Sequence, residues 1–173
     1  MRNLKQIMLF VMVGSLLAFT SCSKDDDGDG DSSKGGSEFL TVKIDGASFS
    51  ASTDPASLIS AVVDSGVLAV QGSTNDGEYL RFNILNYTGT GTYTTGDALT
   101  NSNLIQYGDI STPTVAWISS GIISLGNSSA TGTITVTSDD GSTIEGTFTF
   151  TGYNASDMST KSFTEGEFKA SIE

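Results

Sequence analysis

The chain has no histidine, one cysteine, two prolines and one tryptophan in 173 residues. Without histidine there is no Ser-His-Asp or Cys-His relay and no histidine-centred metal site. The side chain whose ordinary pKa lies nearest neutrality is also missing. A single cysteine forbids an intramolecular disulfide in any redox compartment. Basic residues are scarce: eight Lys and Arg face twenty Asp and Glu, a formal charge of −12. That balance repels nucleic acid, which is not an expected partner. No Walker loop or dinucleotide fingerprint follows an apolar run. Carboxylates remain as possible catalytic groups, but a glycosidase needs two of them about 5 Å or 6.5–9.5 Å apart across a cleft. Asp139 and Asp140 are adjacent in Asp139-Asp140-Gly141, a turn sequence where solvated aspartates belong. No acid pair is singled out, so the expectation is a non-enzymatic protein without a cofactor. A carboxylate-based glycoside hydrolase is the remote alternative.

Long apolar runs are rare too, and the one present is N-terminal. Arg2 and Lys5 precede Ile7 to Phe19, thirteen residues without a charge. As helix they span about 20 Å, short of a ~30 Å hydrocarbon core, and so read as the apolar region of a signal peptide. Phe19-Thr20-Ser21-Cys22 resembles the lipobox of bacterial lipoproteins, with Phe19 in place of the usual Leu, Val or Ile. The resemblance implies that Cys22 becomes an acylated mature N-terminus, carrying palmitate or a similar chain into a membrane. An ordinary secretory peptide cut near Ser21 is the alternative. Cleavage removes Arg2 and Lys5, leaving six basic against twenty acidic residues, a formal balance of −14.

Residues 1–21 are thus expected to be a lipoprotein signal peptide, and residues 22–37 the lipidated cysteine with a tether. Ser23 to Ser37 contains Ser, Asp, Gly, Lys and Glu-free, apolar-free sequence, which cannot bury enough surface to offset its ordering entropy. Asp25, Asp26 and Asp27 follow the cysteine closely. This acidic run resembles the signal that sends Bacteroidota lipoproteins to the outer face of the outer membrane; simple solvation of the tether is the alternative. Asp25, Asp27, Asp29 and Gly30 also match the first half of a calcium loop. The twelfth position, which needs a bidentate Glu, is Gly36, so at most weak Ca2+ association is expected there and no formed metal site.

Residues 38–173 read as one all-β domain. Leu40, Val42 and Ile44 alternate and stop at Asp45-Gly46, a hairpin dipeptide; Phe49 begins the return. Leu58 to Val63 and Val67 to Val70 flank Asp64-Ser65-Gly66. Leu80, Phe82 and Ile84 alternate with Arg81 and Asn83, before a break at Gly89-Thr90-Gly91. Ile134 and Val136 alternate with threonines, and Ile144, Gly146, Phe148 and Phe150 form an inward face opposite Glu145, Thr147, Thr149 and Thr151. Phe163 and the set Phe168, Ala170, Ile172 fall on opposite parities, which a bulge near Gly166 reconciles. One helical turn is predicted within Asp97 to Gln106, and Asn101 to Ser129 leaves its strands open. Eight to ten strands at this spacing predict an antiparallel β-sandwich or a flattened β-barrel.

Val42-Lys43-Ile44-Asp45-Gly46 with Phe49-Ser50-Ala51 resembles the opening hairpin of a Bacteroidota lipoprotein family of unknown function. Gly91-Thr92-Tyr93, Gly146-Thr147-Phe148-Thr149-Phe150 and Gly166-Glu167-Phe168 resemble its later elements. The resemblance covers nearly the whole mature domain. It implies architecture and an outer-membrane address, and it transfers no catalytic residue.

Binding is the functional expectation, with a glycan or a protein as ligand. Trp117 and Tyr107 are the candidate stacking platform; closing a β core with a polar tip is the ordinary role of such residues, the more so for Trp117 with Val115 and Ile118 beside it. Thr133, Thr135 and Thr137, facing Thr147, Thr149 and Thr151, predict a hydroxyl ladder. Ice-binding surfaces look similar but need longer arrays, and exposed β-branched residues on a sheet are the ordinary explanation. A third reading is a structural component of an envelope assembly, joined through an edge strand.

Overall fold

Alternation sets the strands, and turn residues with positive φ separate them. The computed structural model describes residues 37–173 apart from Pro55, Ser57 and Thr114. All of these fall within one unit, Gly35–Glu173. Eleven strands follow in order: β1 (Phe39–Ile44), β2 (Ala47–Ser50), β3 (Ile59–Asp64), β4 (Val67–Ser73), β5 (Glu78–Leu85) and β6 (Gly91–Thr95). Then come β7 (Leu104–Asp109), β8 (Ala116–Ser120), β9 (Gly132–Asp139), β10 (Thr143–Asn154) and β11 (Ser159–Ser171). Asp45 and Gly46 sit at φ +50° and +89°, the primed-turn geometry that Asp-Gly favours between twisted strands.

The strands make one sheet in the order β2-β1-β11-β10-β8-β7-β5-β4-β3. Every pairing between these strands is antiparallel. Its length forces β10 to share an edge: β9 pairs with Ile144–Phe150, and β8 meets it at Tyr153. β6 adds outside β9. The sheet curls into an all-β half-barrel, the barrel-like form of the two expected architectures. At the far end, Ala61 in β3 bridges Ile172 in parallel, and the Glu173 N–H donates to Ala61 C=O at 2.9 Å. The end of the chain therefore covers part of the β3 edge.

The core lies on the concave face. Ile144, Gly146, Phe148 and Phe150 all point inward, as their period of two requires. Phe82, Phe148, Phe163 and Phe168 are almost fully buried. Each such side chain contributes about 1.5–3 kcal/mol relative to exposure. Glycine and phenylalanine face each other across β10 and β11: Gly146 pairs with Phe168, and Phe148 with Gly166. A Cβ on Gly146 would stand 2.1 Å from Thr135 C=O and 2.8 Å from the Phe168 ring. The small residue is thus required for the ring to lie across the strand.

A bulge restores the parity of β11. Phe148 faces Gly166, but Phe150 faces Phe163, so Thr164 and Glu165 together oppose one residue. Glu165 takes φ +54° to make the bend. The region 97–106 differs from expectation. Asp97–Thr100 is turn and bend, and Leu104 onward is β7. The 3₁₀ turn found in the poorly patterned region is Ile123–Leu125.

Candidate functional site

The convex face of β3, β4, β5 and β7 carries a polar row in register. Ser60 pairs with Gln71, Gln71 with Arg81, and Arg81 with Gln106. Because Leu80, Phe82 and Ile84 fill the core, Tyr79, Arg81 and Asn83 must point outward. Arg81 Nε and Nη2 donate to Gln106 Oε1 at 3.3 and 2.9 Å. Gln106 Nε2 donates in turn to the Tyr79 hydroxyl at 2.6 Å. The guanidinium carbon lies 5.9 Å from the centre of the Tyr79 ring.

Tyr79 lies flat because its cross-strand partner is Gly108. A Cβ there would sit 2.8 Å from the tyrosine oxygen. The ring and guanidinium border a hollow of about 570 Å³, also lined by Gln71, Asn75, Leu58, Ile110 and Pro113. A smaller hollow of about 180 Å³ continues past Arg81 to Ser60, Val62 and Asn83. Arg81 and Gln71 belong to both, so the two form one groove across β3, β4 and β5. Among the described residues, the Gln71 and Asn83 side-chain amides have no hydrogen-bond partner; each offers a donor and an acceptor to a ligand. The groove combines a fixed ring, an apolar rim and convergent polar groups, the usual make-up of a ligand site.

A second hollow, about 490 Å³, lies over β6, β9, β10 and β11 and is lined by Thr94, Asp97, Thr133, Thr149, Thr151 and Thr164 among others. It belongs to the threonine face. The structure extends the expected ladder to three strands: Thr92–Thr135–Thr147 and Thr94–Thr133–Thr149 form two rows. A register shift next to Gly146 takes Thr137 out of the array, and its hydroxyl bonds Glu145 C=O at 3.2 Å. Thr92 and Thr135 hydroxyls bond each other at 3.3 Å. The Thr94 hydroxyl and the Asn101 amide hold the Asp97 carboxyl below the usual range. This face has no side-chain amide or open aromatic ring among its lining residues.

Trp117 and Tyr107 do come together, as a directly paired residue couple of β7 and β8 with ring centres 6.0 Å apart. They lie on the concave side. Tyr107 is buried against Phe49 and Phe163, and its hydroxyl donates to the Glu78 carboxylate. The half-buried Trp117 donates from Nε1 to Ser159 Oγ at 2.9 Å, and the Lys161 ammonium sits 4.7 Å from its ring. Asp139 accepts from the Tyr87 hydroxyl at 2.6 Å, and Asp140 accepts from the Ser142 and Thr143 N–H groups at 2.8 and 2.7 Å. Those backbone bonds hold the Asp140 carboxyl below its ordinary range. Both adjacent acids are thus engaged in closing the turn and the core. Among the described residues no cluster of three or more acidic residues is placed to hold a metal ion. Cys22, Asp25, Asp26, Asp27 and Asp29 lie outside the described residues.

The sequence placed Arg81 and Asn83 outward but gave them no role. Two cues were available: Arg81 is the only arginine after Arg2, and it shares parity with Tyr79. Its partner Gln106 was out of reach, because β7 shows no alternation.

No curated protein and no solved structure matches the chain. A family model described as a domain of unknown function, DUF6252, matches residues 37–170. That span takes in every strand but the last residue of β11, and the chain belongs to this family of unknown function.

Proposed function

We propose that this protein is a lipid-anchored lipoprotein of the outer membrane, facing the exterior, whose non-catalytic β domain binds glycans. The observation that carries the reading is the Tyr79–Gln106–Arg81 chain at the centre of the groove. Sugar rings offer an apolar face for stacking and vicinal hydroxyls that both donate and accept. Tyr79 lying on Gly108 supplies the platform, while Gln71, Asn83 and Arg81 supply matching polar groups. The Phe19-Thr20-Ser21-Cys22 sequence and Asp25-Asp26-Asp27 support the anchor and the outward address.

The test is a glycan array probed with the detergent-solubilised full chain, wild type against Tyr79→Ala and Arg81→Ala. Both side chains lie on the convex face, so thermal midpoints should be retained while array signals fall at least about tenfold. A blank array, or signals indifferent to both substitutions, contradicts the reading. Labelling with a palmitate analogue is expected to depend on Cys22, and protease shaving of intact cells is expected to remove the domain. Label retained in Cys22→Ala would refute the anchor.

A second reading is docking of an envelope protein onto β6, which among the described residues pairs with no strand but β9, its Thr94 C=O being capped by the Asn101 and Asn103 amides at 2.8 and 2.9 Å. Open edges accept an added strand. Capture of an envelope neighbour by a chain that is silent on glycan arrays would favour it.

A further inference from the structure

Charge around the groove is distributed unlike charge elsewhere on the protein. Past residue 21 the chain has six basic and twenty acidic residues, yet no described residue lining either hollow is Asp or Glu. The described cations are Lys43, Arg81, Lys161 and Lys169. Lys43 pairs with Glu165 at 2.8 Å, Lys161 with Asp45 at 3.5 Å and Lys169 with Glu145 at 2.7 Å. Among the described residues, Arg81 alone is held without a carboxylate. Its fixed partner is the neutral Gln106, whose oxygen takes the Nε edge and orients the guanidinium plane without cancelling its charge. That leaves the Nη1/Nη2 edge, with its two parallel N–H donors, free in the groove.

We infer that the groove selects acidic glycans, with the open Nη1/Nη2 edge of Arg81 receiving the carboxylate of a uronic acid residue while Tyr79 supports the neighbouring ring. This rests on the glycan-binding reading above and adds the ligand's charge class. A guanidinium fork matches a planar carboxylate with two parallel hydrogen bonds, the geometry in which arginine outperforms lysine. Specificity for an anion follows from location as well. The rest of this acidic surface repels a polyanion, so binding is confined to the place where no acid lines the wall.

The test uses the full chain in detergent and titration calorimetry with a galacturonate oligomer, its methyl ester and a sulfated neutral oligosaccharide. The acid form is expected to bind at least tenfold more tightly than the ester, the loss appropriate to one charge-assisted pair. Arg81→Gln should abolish that preference, and Arg81→Lys should retain only part of it. Gln106→Glu should abolish it as well, since it places a carboxylate against the guanidinium. Equal affinity for acid and ester, lost in Tyr79→Ala, would overturn the acidic class and leave the glycan groove standing. Preference for the sulfated probe over the uronate would overturn the carboxylate assignment. Silence of all three probes, with neutral array signals that need Tyr79, overturns this inference alone; silence of every glycan overturns both readings.

Discussion

At the residue scale, two tyrosines close the core. Tyr87 follows β5 and donates to Asp139; Tyr107 in β7 donates to Glu78 at the start of β5. Each ring is buried and each hydroxyl reaches a carboxylate at the rim. Burial, reinforced by the carboxylate acceptor, raises both phenols well above their ordinary value. An unfolded phenol ionises near pH 10. The stabilisation from these neutral phenols is complete below that pH and is lost as pH climbs towards the folded values. Each is expected to steepen the alkaline fall in stability by up to ~1.4 kcal/mol per pH unit above pH 10. Urea unfolding at pH 8 to 11 should show it, with Tyr87→Phe and Tyr107→Phe each flattening the curve. Parallel curves for wild type and both variants would refute it. At pH 8 each loss of a hydroxyl should cost about 1 kcal/mol, because a carboxylate loses a donor.

At the element scale, β11 shows how local chemistry serves a global register. Its two apolar sets are out of phase; Thr164 and Glu165 absorb the difference against β10, and Glu165 and Gly166 absorb it against β1. Glu165 is exposed, pairs with Lys43 and occupies a left-handed conformation that costs a non-glycine residue roughly 1–2 kcal/mol. Glu165→Gly is therefore expected to be neutral or stabilising by up to ~1 kcal/mol, the exposed ion pair contributing little. Deleting Glu165 is a different matter. It would turn Phe163 outward or displace Phe168, at a cost of about 3–5 kcal/mol. Equilibrium unfolding of the two variants separates the cases; equal stabilities would show that the bulge does not set the register.

Much of this element-level order was legible in the sequence. The inward faces of β5, β9 and β10 followed from alternation, and the parity conflict located the bulge, which includes Gly166 against β1 and lies just before it against β10. β7 and β8 were not legible, for a physical reason. Ile105, Gln106, Tyr107 and Gly108 are all buried, so β7 has no polar face to mark its period. On the inner side of β8, Ser119 replaces an apolar residue and bonds buried Thr95 at 2.5 Å and Ala130 C=O at 3.0 Å. A hydroxyl pair satisfied across strands reads as loop composition in a single chain. The groove depended on the same missing strand: Arg81 was visible as an outward residue, but Gln106 becomes its neighbour only through the β5–β7 register.

For the whole molecule, the question is how an open sheet avoids offering its edge to other copies. β3 ends the strand order and carries Val62 and Val63, 41% and 36% exposed. An apolar edge of this kind invites pairing with a second chain. Ile172 and Glu173 oppose that by reaching across: Ile172 N–H donates to Ser142 C=O at 2.8 Å and Glu173 N–H to Ala61 C=O at 2.9 Å. The first bond ties the end of the chain to the β9–β10 turn and the second ties it to β3. These two residues thus join the β10–β11 side of the curl to its β3 end. Removing them forfeits two backbone hydrogen bonds and the partial burial of Ile172, together about 2–3 kcal/mol. For a domain of this size the thermal midpoint should fall by about 5–10 °C. The freed edge should also make the truncated chain associate as its concentration rises, which light scattering would detect. Glu173→Ala keeps the backbone donor and should leave both properties unchanged. If truncation lowers the midpoint without association, the tail stabilises the curl but does not guard the edge. If neither changes, closure by the chain end plays no part in the stability of the half-barrel.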